Sequence, residues 1–313
     1  MADFYQEVYA PETKQRFIDT IEVGKYPPRW WERVFEKSYI FESAKQKDLF
    51  AFTVPEILEF YKFLDIGTLN PLIIYNVNLT LYAQWALNEN LISDGQNHFD
   101  VIDYELLSTC INKAKLSKSV LSYDDFMDLI DHKILNAQDA FIFICLFEGI
   151  KGKDYKEIVE MKLSDIDMDN KCVQLSTGRN VIVTDKFIEI AIKADNQVEY
   201  VSTSNNDFII KLVPSLRIYK EKSNSSNKDI NRSVYAAIVR NIDTIKDLYN
   251  VITAKSIRDS GLIYYINKRA DKLGISAEEL MYSIDNWQDI IDKYNFNTDS
   301  RRRWILQYTD YLH

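Results

Sequence analysis

Turns are scarce in what this chain can build. Only 8 Gly and 6 Pro occur among 313 residues, too few for a fold made of many short strands joined by tight turns. The chain must therefore be mostly helical. An apolar fraction of 46% against 27% charged residues suits a packed globular protein. At this length two domains are expected rather than one.

Helical patterns fill the first third. Residues 11–50 read as one or two aromatic-rich helices around a Tyr26-Pro27-Pro28 break. Residues 53–65 follow, with Thr53 as N-cap and Glu56 three residues later, the spacing of a capping box. Residues 71–90 form a helix whose apolar positions are Ile73, Ile74, Val77, Leu81, Trp85 and Leu87. A short helix spans 103–114. The five tryptophans, Trp30, Trp31, Trp85, Trp287 and Trp304, are expected in the core.

A polar, basic stretch carrying Lys113, Lys115 and Lys118 separates the two parts. The expected division is a helical domain over 1–114, a basic linker over 115–120 and a second domain over 121–313. Ser122 caps the next helix. Residues 137–149, AQDAFIFICLFEG, read as a buried central helix, although Phe141–Phe147 alone would also suit a strand. A helix over 154–162 precedes two short strands, 171–176 and 180–184, joined at Thr177-Gly178-Arg179. A further strand is expected over 208–213. Helices then fill 230–249, 253–271, 276–283, 285–294 and 300–312.

Charge restricts the partners. The net value is −9, which on average repels nucleic acid. Residues 1–110 hold nine basic and seventeen acidic side chains, whereas 217–258 hold nine basic and four acidic. A basic surface can thus exist on an acidic protein. No run reaches 18 apolar residues, so no transmembrane helix is expected. The start lacks the basic and apolar regions of a signal peptide. Cys110, Cys145 and Cys172 are odd in number and lack CxxC spacing, as expected for reduced thiols in the cytoplasm. No metal or cofactor is expected.

Three stretches carry a resemblance. LSYDDFMDLI (121–130), FEGIKGKDYKEIVEMKLSDIDMDNKCVQL (147–175) and ITAKSIRDSGLIYYINKRADKLGIS (252–276) are similar to three segments of the tyrosine recombinases, the phage integrases. The resemblance covers roughly residues 40–310. It implies a mainly α, two-domain fold: an all-helical core-binding-type domain, then a helical domain of the catalytic type with a small β-hairpin. It also implies a chemistry in which a tyrosine attacks a DNA phosphate held by arginines, a lysine and histidine-like proton donors.

Most of that set is missing. Where the family places its first arginine, after Gly-Ile, this chain has Lys151; counted back from Glu157 the position falls on Asp154. The hairpin lysine is replaced by Arg179. Arg258 matches the second arginine, but the histidine three residues earlier is Lys255 and the one that follows is Asp259. Phe296 stands where a later histidine or tryptophan belongs. The histidines, His98, His132 and His313, fall at none of these positions. Tyr308 or Tyr311 remains as a nucleophile.

The resemblance therefore implies a catalytically degenerate member, not an enzyme, that represses prophage genes by binding double-stranded operator DNA. The alternative is an active divergent site-specific recombinase. Expected DNA contacts are Arg258, Lys255, Lys151, Lys153 and Arg179 at the former active site. Further contacts are Lys113, Lys115 and Lys118 in the linker, Arg232 and Arg240 on the helix from 230, and Arg301, Arg302 and Arg303 near the end. The Asn76, Asn78, Thr80, Tyr82 and Gln84 set on the helix over 71–90 is a weaker candidate for adenine edges. An antirepressor protein or a second copy of the chain is a further candidate partner; a membrane is not.

Overall fold

The computed structural model describes residues 8–21, 28–202, 208–223, 230–245 and 252–313. The Tyr26-Pro27 part of the expected break and residues 246–249 lie outside them. The chain divides into two compact units, Met1–Leu116 and Ser117–His313.

The first unit is all helical: α1 (Pro11–Thr20), α2 (Pro28–Lys45), α3 (Val54–Phe63), α4 (Leu69–Asn88), α5 (Tyr104–Ser108) and α6 (Lys113–Ser117). The Thr53–Glu56 capping box forms at the start of α3, with the Thr53 backbone N–H donating to Glu56 Oε2 at 2.8 Å. Aromatic rings fill the core, among them Phe17, Trp31, Phe35 and Tyr82. Within it Lys14 is fully buried and donates to Glu42 Oε1 at 2.6 Å and to Asp48 Oδ2 at 3.1 Å. Burial of such a side chain is tolerated only because two carboxylates compensate its lost hydration. The stretch expected as a polar linker is in part a helical turn: α6 buries Leu116, and Lys115 pairs with Asp65.

On α4 the structure inverts the expected pattern. Ile74, Val77 and Leu81 are about half exposed, whereas Asn76, Asn78 and Tyr82 are buried. Each of these three side chains makes at least one hydrogen bond, while the Asn78 Oδ1 atom is buried without one. Asn76 accepts from the Tyr61 hydroxyl at 3.0 Å and donates to the Phe99 carbonyl at 3.3 Å, Asn78 Nδ2 donates to the Ile74 carbonyl at 2.7 Å, and Tyr82 donates to Asp48 at 2.9 Å. The packing of hydrogen-bonded polar groups overrides a hydrophobic-periodicity argument.

The second unit contains α7 (Tyr123–Asp128), α8 (Ala137–Phe147), α9 (Lys156–Glu160), α10 (Asp185–Asn196), α11 (Ile230–Ile245), α12 (Ala254–Leu273), α13 (Ala277–Tyr282), α14 (Ile284–Tyr294) and α15 (Arg301–Tyr308). Strands β1 (Ile166–Asp167), β2 (Cys172–Gln174) and β3 (Asn180–Ile182) make an antiparallel sheet in that order, with Val173 opposite Val181. Strands β4 (Glu199–Ser202) and β5 (Phe208–Lys211) pair separately. The expected short hairpin is β2–β3, and the 208–213 strand is β5. The segment 137–149 is the central helix α8, buried along all its length from Gln138. The expected continuous helix over 154–162 does not form. Asp154 and Tyr155 take positive φ, 52° and 63°, so the chain kinks before α9.

Helix α12 crosses α8 so closely that a Cβ at Gly261 would fall inside the van der Waals shell of the Phe147 carbonyl oxygen, a backbone atom that cannot swing aside. Only glycine fits this crossing. Gly261→Ala should therefore lower stability by about 3 kcal/mol, read as a lower urea midpoint with an unchanged slope. A variant as stable as the parent would show that the two helices are not in this contact.

Candidate functional site

The kink before α9 and the α8–α12 crossing bring the recombinase-like positions together. Glu157 is the organising group. Its carboxylate is buried and accepts from Arg179 Nε (3.0 Å) and NH2 (2.7 Å), from the Thr177 hydroxyl (2.6 Å) and from the Lys151 backbone N–H (2.9 Å). Burial alone would raise this carboxyl. The hydrogen bonds from Arg179 and Thr177, the Arg179 charge and the Lys151 N–H outweigh it, so its pKa ends below the usual glutamate value.

Arg179 has further partners. Its NH1 donates to the carbonyls of Asp292 and Lys293, both at 2.9 Å, and NH2 also reaches the Gly149 carbonyl at 3.3 Å. Arg258 donates to the next carbonyl, that of Tyr294. Two guanidinium groups thus cap the C-terminal end of α14, where unpaired carbonyls and the helix dipole favour cations. Burial pulls the pKa of Arg258 below the ordinary arginine value, against the pull of Asp259 and Tyr294. Its Nε is buried and has no hydrogen-bond partner.

The tyrosine sits on the same helix's neighbour. Tyr308 is 2% exposed, and its hydroxyl donates to Asp259 Oδ2 at 2.8 Å. Burial first, and the Asp259 carboxylate second, push its pKa far above the ordinary phenol value. Asp259 also accepts from Trp304 Nε1 at 3.3 Å and pairs with Lys255. Tyr311 is half-buried, and its backbone carbonyl accepts from Asn267 Nδ2 at 2.8 Å. Sequence reasoning did not single out Lys293. It is buried, and it joins the hairpin to α8 by donating to the Ile182 carbonyl and to Glu148 Oε2, both at 2.6 Å.

Arg258, Lys255, Arg179, Lys151 and Tyr308 are therefore drawn into one neighbourhood around Glu157, Asp259 and the end of α14. All five N–H groups of Arg179 face protein acceptors. The Lys255 side chain is 61% exposed. Lys153 is exposed in the turn before α9, and the Lys151 ammonium lies 5.2 Å from the Tyr155 ring centre.

The other predicted cations lie elsewhere. Arg232 is exposed on α11, but Arg240 turns inward to the Tyr200 hydroxyl and Asp139, and Asn241 donates to Asp139 at 2.9 Å. Lys113 and Lys118 are exposed. Arg302 is exposed, Arg301 stacks 5.9 Å from the Trp287 ring centre, and Arg303 donates to the Ser300 hydroxyl at 3.2 Å. Sequence reasoning also missed Arg29, Arg33 and Lys37, exposed at four-residue spacing along α2. That spacing was the available signal. Among the described residues, no group of His, Cys, Asp or Glu side chains could hold a metal ion, and no helix is long and apolar enough to cross a membrane.

Replacing Glu157 by glutamine removes the charge that balances Arg179 and puts an NH2 donor where one of the two acceptor oxygens stood. Glu157→Gln should cost about 3 kcal/mol near neutral pH, measured by urea unfolding. Because the folded-state pKa is depressed, this carboxylate stabilises the fold above its unfolded pKa, near 4.5, and the contribution fades as pH falls through the lower folded value. The gap between parent and variant should narrow on acidification. A gap independent of pH would contradict the assignment.

Residues 120–312 match the family model described as the MrpR C-terminal catalytic domain, and residues 8–88 match the MrpR N-terminal core-binding domain. The chain is 22% identical over 325 residues to the SPbeta prophage-derived uncharacterized protein YopR of Bacillus subtilis strain 168, covering 97% of this chain and 94% of YopR. It is also similar to the Tn1549 transposon integrase solved in complex with a circular-intermediate DNA, at 13% identity, over 93% of this chain and 96% of that one, with a TM-score of 0.38.

Proposed function

The chain belongs to the MrpR family, and from that premise we propose that it is a sequence-specific DNA-binding repressor with the recombinase fold but without the recombinase reaction. The observation that carries this reading is the hydrogen bond from the Tyr308 hydroxyl to Asp259. A tyrosine that attacks a phosphate must reach it and lose its proton. Tyr308 is buried and faces a carboxylate, which opposes ionisation of the phenol. The aspartate stands where the resemblance places a histidine. An acceptor has replaced a donor there, which removes one proton source for a leaving oxygen. Each positioned donor is worth about 10² to 10³ in rate; with most of them gone, cleavage is not sustained.

Binding needs less than cleavage. Exposed cations suffice to hold phosphate, and side chains at base edges give the sequence choice. Lys255, Lys151 and Lys153 supply charge beside the closed site; Arg179 serves the fold instead. The prophage origin of YopR supports a role in keeping a prophage silent, with the chain acting on phage operator DNA in the cytoplasm of its host. An antirepressor would then act by competing for, or distorting, the DNA-binding surface.

Footprinting on genomic DNA should identify a defined site. On that duplex, log affinity should fall linearly with log salt, as counterion release requires. The combined Lys151→Ala, Lys153→Ala and Lys255→Ala variant should reduce the slope by about 2 to 3. Tyr308→Phe should leave the affinity unchanged. A salt-independent affinity, or no preferred site, would reject the reading.

A further inference from the structure

The second unit contains a cavity of about 770 Å³, bounded by α7, α12, α14, the edge strand β3 and the first turn of α10. Its size falls within the range of about 300 to 1,000 Å³ that small-molecule sites occupy. It is not the recombinase-like site. Arg258 and the cavity residue Lys268 both belong to α12, about 15 Å apart along its axis.

The walls are aromatic. Tyr123, Tyr264 and Tyr265 line the cavity and are half-buried. The Tyr123 and Tyr264 rings stack at 4.4 Å and 15°, which fixes the plane of both. Tyr265 is held beside Tyr294, with ring centres 5.9 Å apart. Rings held in this way offer flat faces on which a planar ligand can stack.

The charges are unevenly neutralised. Six basic and four acidic side chains line the cavity. Most of the cations are paired with carboxylates, as Arg269 is with Asp289 and Lys293 with Glu148. Lys268 and Lys272 are exposed, and among the described residues neither meets a carboxylate. Lys268 Nζ instead donates to the Tyr264 hydroxyl at 3.2 Å. Tyr264, Lys268 and Lys272 recur every four residues, so one face of α12 presents a ring and then two ammonium groups at steps of about 6 Å. Asn180 and Asp292 add an amide and a carboxylate to the lining. An amide can meet a base edge, and a carboxylate accepts from sugar hydroxyls.

A flat ring, hydroxyl donors and an anionic end occur together in a nucleotide. We propose that this cavity binds a nucleoside diphosphate, with the base against Tyr264 and Tyr265 and the phosphates on Lys268 and Lys272. Stacking tolerates any base, and lysine holds phosphate as a point charge.

The test is calorimetric titration of the full chain with ADP, adenosine and inorganic pyrophosphate, each without DNA, so its result does not depend on the repressor reading. ADP should bind at least about tenfold more tightly than either half alone. The double variant Lys268→Gln, Lys272→Gln changes exposed side chains and should keep its circular dichroism. It should bind ADP about 100-fold more weakly, roughly tenfold for each charged contact, and adenosine as before. Tyr264→Ala should weaken ADP and adenosine alike, by about tenfold. No heat from ADP at millimolar concentration would overturn the proposal. So would pyrophosphate that binds as tightly as ADP, which would mark a bare anion site, or a double lysine variant with undiminished ADP affinity. A parent that ignores ADP but loses affinity for its footprinted duplex in the double lysine variant would assign the two lysines to DNA and overturn it as well.

Discussion

The C-terminal unit depends on how two guanidinium groups are held. Arg179 and Arg258 donate to three successive carbonyls, those of Asp292, Lys293 and Tyr294, at the end of α14. Glu157 supplies the balancing charge from the other side, and its remaining bonds fasten the Gly149–Lys151 turn and the tip of the hairpin. One buried carboxylate thus locks together elements far apart in the sequence. Buried charges of this kind are costly to desolvate and tolerable only when every partner is in place. That requirement gives this site a single arrangement and leaves Arg179 no free donor.

The same economy extends to the tyrosine. In a cleaving enzyme the phenol must be near the phosphate and near a base. Here Asp259 ties Tyr308 to Trp304 and to Lys255. These bonds hold α15 against α12 through residues at the recombinase-like tyrosine and histidine positions. The shape of this unit is set by helix crossings such as Gly261 on Phe147, and those crossings do not depend on reactive chemistry.

Much of the architecture was legible in the sequence because it rests on local signals. The Thr53–Glu56 box, the Ser122 cap and the β2–β3 turn are encoded within a few residues, and the apolar run in α8 could only be buried. What could not be read depends on partners distant in the chain. Arg179 looked like a phosphate ligand because its acceptors, Glu157 and the end of α14, lie 22 and more than 110 residues away. Arg240 is held by Tyr200 and Asp139 in the same manner. On α4, apolar periodicity pointed the wrong face inward, since Asn76 and Tyr82 are sheltered by Tyr61 and Asp48. The kink at Asp154 and Tyr155 is a backbone conformation that neither residue type announces.

The central claim is that this site is closed to chemistry by its own internal bonds. It is tested most directly by incubating the protein with a nicked suicide duplex carrying its footprinted site, on which any phosphotyrosyl intermediate would be trapped, and looking for a covalent adduct by denaturing electrophoresis. The account predicts none, even at saturating occupancy of the DNA. A covalent adduct that disappears in Tyr308→Phe would show that the phenol leaves Asp259 and reaches a phosphate, and would contradict the account.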